Sequence, residues 1–460
     1  MAIGSRAGTT ALDAEALRKL ESSIRGELIH PRHPSYDSAR IVYNAMVDKR
    51  PAVIVRCRDS SDVVRALDFA RTQNLLVAVR GGGHNVAGKS TCDDGLVIDL
   101  SPMKGILVDP TVALARAEGG LTWGTFDRET QAFGLATTGG FISTTGIAGL
   151  TLGGGLGWLM RKYGLACDNL QSVQIVTADG QIRTANEREN ADLFWGVRGG
   201  GGNFGVVTSF EYQLHPVGQM LAGVVFLPLQ QAGSGLRFYR DFLAHAPDEL
   251  MAYAVFLTAP DGNKVFAISV CYVGPVDMAE QVLRPLRDFA GPAANSLAPM
   301  GYCQIQAMFD GGFPPGRLHY WKSSFLRHLS DKAIDTIVEY FGAVPSPMSA
   351  VAIEPFGGSV ARVGVEDTAF PHRDASFSIV MVGMWMDREQ SEGNTRWVRE
   401  FWKAMQPFAT DAVYVNYLDA DETDRVAAAY TPATFKRLRE IKKKYDPDNF
   451  FRVNQNIGTA

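Results

Sequence analysis

The sequence predicts an α+β chain in which a strand–helix–strand unit feeds a glycine loop and an antiparallel sheet with helices on one face follows. Three observations predict this. Residues 51–79 read strand, helix, strand and run straight into Gly81-Gly82-Gly83-His84. Composition changes near Pro216, after which long alternating segments such as 265–272 and 377–386 dominate. The tail holds Tyr414-Val415-Asn416-Tyr417 and closes on Asn454-Gln455-Asn456-Ile457. The 460 residues exceed the usual size of one core, and the pieces fall at 1–216, 217–412 and 413–460.

The elements follow in order. Residues 10–29 read as a polar helix capped by Thr10, with Leu12, Leu17, Leu20 and Ile24 as its apolar stripe. Residues 51–57 suit a strand. Asp59-Ser60-Ser61-Asp62 supplies capping oxygens, and Val63, Leu67 and Ala70 fall at i, i+4 and i+7, so a helix runs to about Gln73. Strands are expected at 75–79, 96–100, 106–109 and 113–117. Residues 134–157 are dense in glycine and threonine, too apolar for a linker and too glycine-rich for a good helix. Close-fitting backbone around a rigid ligand explains them. Asp179-Gly180 turns strand 174–177 into strand 181–184, and 206–214 is a further strand. Helices at 278–289 and 331–340 separate the later strands, and another spans about 434–445.

Composition excludes several classes. A net charge of −4 argues against a general nucleic-acid binder. The basic run Lys436-Arg437 and Lys442-Lys443-Lys444 shares a helix with Phe435, Leu438 and Ile441, so it reads as a solvated face. The five cysteines form no CxxC pair and read as buried thiols rather than a disulfide or zinc framework. Met1 to Lys19 lacks a signal-type apolar core, and no run approaches ~18 apolar residues, so a cytoplasmic protein without a membrane span is expected.

Glycine backbone can approach a phosphate closely and take φ > 0. A nucleophilic imidazole directly behind such a loop, as His84 stands behind Gly81–Gly83, reaches the organic part of the same ligand, which suggests a tethered flavin. His84 has no second His or Cys at zinc spacing. Gly200-x-Gly202-x-x-Gly205 matches the dinucleotide expression, but a β-rich segment follows it where a helix is required, and no Walker sequence occurs. Tyr414 and Asn416, two apart in a β-like context, face one side of a strand. A phenol there with its pKa lowered by a cation or donor can take a hydroxyl proton as hydride leaves. Phe309, Phe313, Tyr320 and Trp321 cluster in one aromatic segment, and Met381, Met384, Trp385 and Met386 read as sheet residues, some facing a pocket.

Together these segments resemble the berberine-bridge-enzyme-like branch of the vanillyl-alcohol-oxidase superfamily of FAD enzymes. The resemblance rests on Arg80 to Asn85, Gly149 to Leu159, Lys162 to Asn169, Leu193 to Thr208, Tyr414 to Tyr417 and Lys442 to Ile457. It implies an FAD-binding domain of the PCMH type made from residues 1–216 and 413–460, with 217–412 as a substrate domain over the isoalloxazine. It implies a covalent bond from His84 to the flavin 8α-methyl. Cofactor contacts are expected from Arg80, Gly81, Gly82, Gly83, Asn85, Gly88, Thr138, Gly139, Gly140, Thr145, Gly146, Ile147, Gly149, Gly154, Gly155, Gly157, Val206, Val207, Asn454 and Asn456. Tyr414 is the expected base, with Asn416 and Tyr417 orienting, and Tyr320, Glu354 and Trp385 are pocket candidates.

Two departures bear on chemistry. Where many relatives carry a second, cysteinyl flavin link, this chain has Ile142, so a single link is expected, as in singly linked bacterial members such as the 6-hydroxy-D-nicotine oxidases. Ile147 falls where a small residue or valine tends to accompany oxidases and larger aliphatics tend to accompany dehydrogenases; the two stand close, and the reading leans slightly to an oxidase using O2. Hydride is expected to pass from a C–OH or C–N bond of a small aromatic, polyketide or alkaloid-like metabolite, rather than a sugar, to flavin N5. The rivals are a dehydrogenase with another acceptor, a flavin-N5-oxide oxygenase and a non-catalytic flavin or small-molecule carrier.

Overall fold

The computed structural model describes residues 12–291 and 296–459. Its first sheet has four strands in the order Glu27–Ile29, Val53–Arg56, Leu96–Asp99, Val77–Arg80. The last three run parallel, which requires the crossover helix Ser60–Thr72. Asp59 caps that helix as expected, its side chain accepting from the Asp62 N–H. The first expected helix covers only Ala14–Ser23, capped by Asp13, and Thr10 lies outside the described residues. Residues 27–29 are instead a strand paired with Val53–Arg56, because Gly26 turns the chain against the Arg56 carbonyl, where a Cβ would not fit.

A second, five-stranded antiparallel sheet has the order Ile106–Asp109, Leu114–Glu118, Gly205–Gln213, Leu170–Thr177, Ile182–Asn186. The glycine-threonine segment between these strands is mostly loop, with one short helix, Ile147–Leu152. Residues of the tail, including Val413, Leu418, Leu438, Ile441 and Ile457, share the core of this sheet with Phe194, Trp195 and Phe204. The tail helix, Pro432–Tyr445, is less solvated than expected. Lys442 is fully buried, its Nζ donating to Asp446 and to the Asn203 and Phe451 carbonyls.

The third sheet is antiparallel and seven-stranded, in the order Ala298–Met300, Met220–Pro228, Lys264–Tyr272, Leu250–Thr258, Ala350–Pro355, Phe377–Trp385, Leu318–Leu326. Helices Ala232–Leu243, Val276–Ala290, Asp331–Gly342 and Ser391–Met405 bury their apolar stripes in one cluster with alternate strand residues such as Ala252, Ala254, Phe256, Val351, Ile353 and Ile379. The residues between them, Tyr253, Val255, Ala352, Glu354, Val380 and Val382, point the other way and line a cavity.

Cys57, Cys92, Cys167 and Cys271 are buried free thiols, whereas Cys303 is exposed, against the expectation for it. Among the described residues no helix is long and apolar enough to cross a membrane, and no His/Cys/Asp/Glu group could hold a metal ion.

Candidate functional site

A cavity of about 2200 Å³, its open mouth included, runs from the glycine loop to the seven-stranded sheet. Its first end is walled by Val77, Val79, Gly81 to Gly83, Leu100 and Gly200 to Asn203. The sheet walls the far end with Tyr253, Val255, Trp321, Ala350, Ala352, Glu354, Val380 and Val382. His84, Tyr43, Phe141, Thr145, Tyr414, Asn416 and Tyr417 also line it.

The loop is placed by a buried ion pair at the end of its strand. Arg80 opposes Asp99 in the parallel register, and its Nη2 donates to Asp99 Oδ2 at 2.8 Å. Gly83 then takes φ +72°, a conformation that favours glycine, and Gly82 presses onto the Gly146 backbone with no room for a Cβ. His84 emerges stacked on Tyr43 at 4.2 Å between ring centroids, and Tyr43 also stacks on His319 at 4.9 Å. Thr144 Oγ1 lies 3.0 Å from Nε2, and Thr145 Oγ1 lies 3.4 Å from Nδ1. Burial lowers the imidazole pKa to about 4 against the opposing pull of the Asp310 carboxylate, so the ring is neutral at pH 7 and carries a lone pair.

The lining fits FAD. At the first end the buried Ser90 Oγ, Asn454 Oδ1 and Gln455 Oε1 have no hydrogen-bond partner. Lys89 lines the same wall with no ion-pair partner among the described residues. Glycine N–H groups, a cation and spare hydroxyl and amide groups suit a diphosphate and ribose, and the imidazole suits the flavin ring beyond them.

At the other end the glycine run allows close approach. Gly153 backs onto the Asn416 amide, and the Gly155 N–H donates to the Tyr414 hydroxyl at 3.0 Å. Asn416 Nδ2 donates to the same oxygen at 2.9 Å and to the Leu150 carbonyl. Residues Val415–Tyr417 form a 3₁₀ turn, not the expected strand, yet the turn still brings Tyr414 and Asn416 together. No cation lowers the Tyr414 phenol. Burial raises its pKa above the ordinary value, and the two donors only partly offset that. The Tyr417 phenol is raised further and donates to Glu354 Oε1 at 2.7 Å. Glu354 is 1 % exposed, and burial lifts its carboxyl to about 7, with the Tyr417 hydrogen bond working the other way. Its Oε2 and the Tyr253 hydroxyl have no partner.

Of the residues expected from sequence, Gly81 to Asn85, Gly140, Thr145, Gly146, Gly149, Val207, Asn454, Glu354, Tyr414, Asn416 and Tyr417 line the cavity. Others stand behind it. Arg80 holds Asp99, and Gly88 backs onto Val47. Thr138 donates to the Gly164 carbonyl, Gly139 packs on Trp123, and Gly157 packs on Gly139. Gly154 backs onto Phe370 and Gly155 onto Ala166; Asn456 accepts from the Gly458 N–H. Val206 and Ile147 are core residues. Ile147 is thus a core residue behind the cavity wall. Tyr320 and Trp385 point into the helix-side core, Tyr320 bonded to Asp421 and Arg399 and Trp385 to Ser391. Met381 lies in that core, Met384 on the opposite face, and Met386 is exposed. Sequence reasoning missed Tyr43, Phe141, Tyr253 and Thr144, and took Tyr320 where its neighbour Trp321 faces the cavity. Period-two alternation, counted from Glu354 through its sheet neighbours, would have found Trp321.

Comparison with known proteins agrees with this geometry. Residues 51–186 match the model of an FAD binding domain, and residues 413–458 match that described as berberine and berberine like. An FAD-linked oxidoreductase from Dictyostelium discoideum is 33% identical over 90% of each chain. The (R)-6-hydroxynicotine oxidase of Paenarthrobacter nicotinovorans is 32% identical over 95% of this chain and 97% of its own. The solved structure of 6-hydroxy-D-nicotine oxidase from Arthrobacter nicotinovorans superposes with a TM-score of 0.88 at 30% identity, covering 95% of this chain and 99% of that one.

Proposed function

The chain belongs to the berberine-bridge-enzyme-like family of FAD-linked oxidoreductases, and from that premise we propose that it holds FAD by a single bond from His84 and oxidises a small aromatic amine or alcohol with O2 as acceptor. One observation carries the reading. A single cavity has orphaned polar atoms at both ends, Ser90, Asn454 and Gln455 at the glycine end and Tyr253 and Glu354 at the sheet end, with a neutral histidine between.

FAD supplies the hydride acceptor, and the protein supplies position and proton transfer. We assign proton removal to Glu354 rather than Tyr414. Glu354 lines the cavity, has no hydrogen-bond partner at Oε2 and titrates near neutrality, which suits a general base, whereas the Tyr414 proton is held tighter than in water. Tyr414, gripped by Gly155 and Asn416, orients the reacting carbon, and Tyr417 fixes the carboxyl. The carboxyl with no cation beside it, among aromatic and aliphatic side chains, favours a C–N substrate that arrives as a cation over a sugar.

Acid precipitation and peptide mass mapping test the tether. A yellow pellet, with the flavin mass on the His84 peptide, is expected from the wild type and a colourless one from His84→Ala. Free FAD in the wild-type supernatant would overturn it. Anaerobic mixing with candidate amines then separates an enzyme, whose flavin bleaches, from a carrier, whose flavin does not.

A further inference from the structure

The two nitrogens of His84 face different surroundings. Nδ1 lies nearer Thr145, a residue of the cavity wall, while Nε2 meets the hydroxyl of Thr144, which stands outside the wall. The Tyr43 stack fixes the plane of the ring but not its proton. The segment carrying Thr144 is itself fastened to the sheet side of the molecule, because the Ser143 N–H and Oγ donate to the Asp310 carboxylate at 2.8 and 2.5 Å.

We propose that Thr144 is a positioning residue for covalent attachment of the flavin, holding the proton on Nε2 so that the Nδ1 lone pair is presented to the cavity. The inference rests on the His84 linkage proposed above. Attachment joins Nδ1 to the flavin 8α carbon. One hydrogen leaves that methyl group, one leaves Nε2, and the two electrons pass to dioxygen, which becomes hydrogen peroxide. Nε2 thus begins as a donor and ends as an acceptor. A hydroxyl serves both states, since it accepts from an N–H and, rotated, donates to a bare nitrogen. Thr144 at 3.0 Å meets that requirement, and a methyl group in place of its hydroxyl would meet neither half.

The test is the rate of attachment. Protein expressed under riboflavin limitation is supplied with FAD in air. Bound FAD is read by absorbance, and linked FAD by what stays with the polypeptide after acid precipitation. Thr144→Val is expected to link roughly tenfold more slowly at undiminished FAD binding, the scale of one lost hydrogen bond, and Thr144→Ser to link as the wild type does. Thr144→Ala carries the same expectation as the valine variant should the latter bind no FAD. Valine or alanine variants that link at the wild-type rate overturn the inference, as does a serine variant as slow as valine. A wild type that links no flavin overturns instead the His84 reading on which it stands.

Discussion

The two ends of the cavity are built by opposite means. The glycine end is mostly backbone from loops contiguous in sequence, Gly81–Gly83 and Gly200–Gly202, with close packing that excludes even a Cβ at Gly82. The sheet end is side chains, one from every second residue of strands that lie far apart in the chain. Backbone recognises what every backbone can hold, a phosphate and a flat ring. Side chains on a sheet can be exchanged singly without moving the frame, so on the proposed function the sheet end is the one that would select a substrate. Substitutions at the two ends should therefore fail differently, the first by losing cofactor and the second by losing chemistry or substrate affinity while the protein stays yellow.

The largest effect is expected at the sheet end. Glu354→Gln should slow flavin reduction by roughly 10²–10⁴, the range for removing a general base, while bound FAD is unchanged. Stopped-flow absorbance checks both. Wild-type reduction should rise with pH through about 7 as the carboxyl ionises, and the variant should lack that limb. Stability has the opposite sign. The folded protein keeps a proton on Glu354 that the unfolded chain has lost above its ordinary carboxylate range. The unfolded state then binds fewer protons, and stability falls as pH rises toward about 7. Thermal unfolding across pH should show that fall flattened in Glu354→Gln.

At the glycine end, Gly82→Ala should bind roughly tenfold less FAD, because its Cβ meets the Gly146 backbone and the loop must open to relieve it. The check is flavin per polypeptide after purification. A fully yellow alanine variant with slow chemistry would erase the proposed contrast between the ends. Tyr414→Phe, at the other end, should slow reduction roughly tenfold with FAD retained, by stranding the Gly155 and Asn416 donors.

The same contrast decides what could be read from the chain. The glycine end was legible because its contacts are local: the strand, the ion-pair arginine, the glycines and His84 occupy consecutive positions, and Asp59 announces the helix before them. Tyr43 was not, since nothing in its surrounding sequence marks a ring that will stack on a histidine 41 residues later, and only the tertiary fold closes that distance. Arg80, Gly88 and Gly157 were legible as motif members but not as supports, because sequence spacing does not distinguish a glycine that faces a ligand from one that another backbone presses upon. The sheet end was half legible. Glu354 was a pocket candidate beside Tyr320 and Trp385, but which residues share its face depends on register across three strands, and a shift of one residue exchanges Tyr320 for Trp321.

That exchange supplies the smallest and sharpest of the expected effects. Trp321 opposes Val382 in the strand pairing and faces the cavity, with its ring 5.9 Å from that of Tyr417. Tyr320 opposes Gly383 and faces the helices, accepting from Arg399 at 2.9 Å and donating to Asp421 at 2.8 Å. Trp321→Ala removes a wall of the substrate end without touching the proton acceptor, so KM should rise roughly three- to tenfold with kcat for the same substrate little changed. Tyr320→Phe leaves the cavity untouched and releases two partly exposed polar partners, Arg399 and Asp421, on the far face, at a cost of about 1 kcal/mol in stability and none in KM. Steady-state kinetics and a urea melt on the two neighbours separate the faces directly. A rise in KM for the Tyr320 variant with none for the Trp321 variant would mean that the strand presents its opposite face to the substrate, and that the division of labour between sheet and glycine loop is drawn in the wrong place.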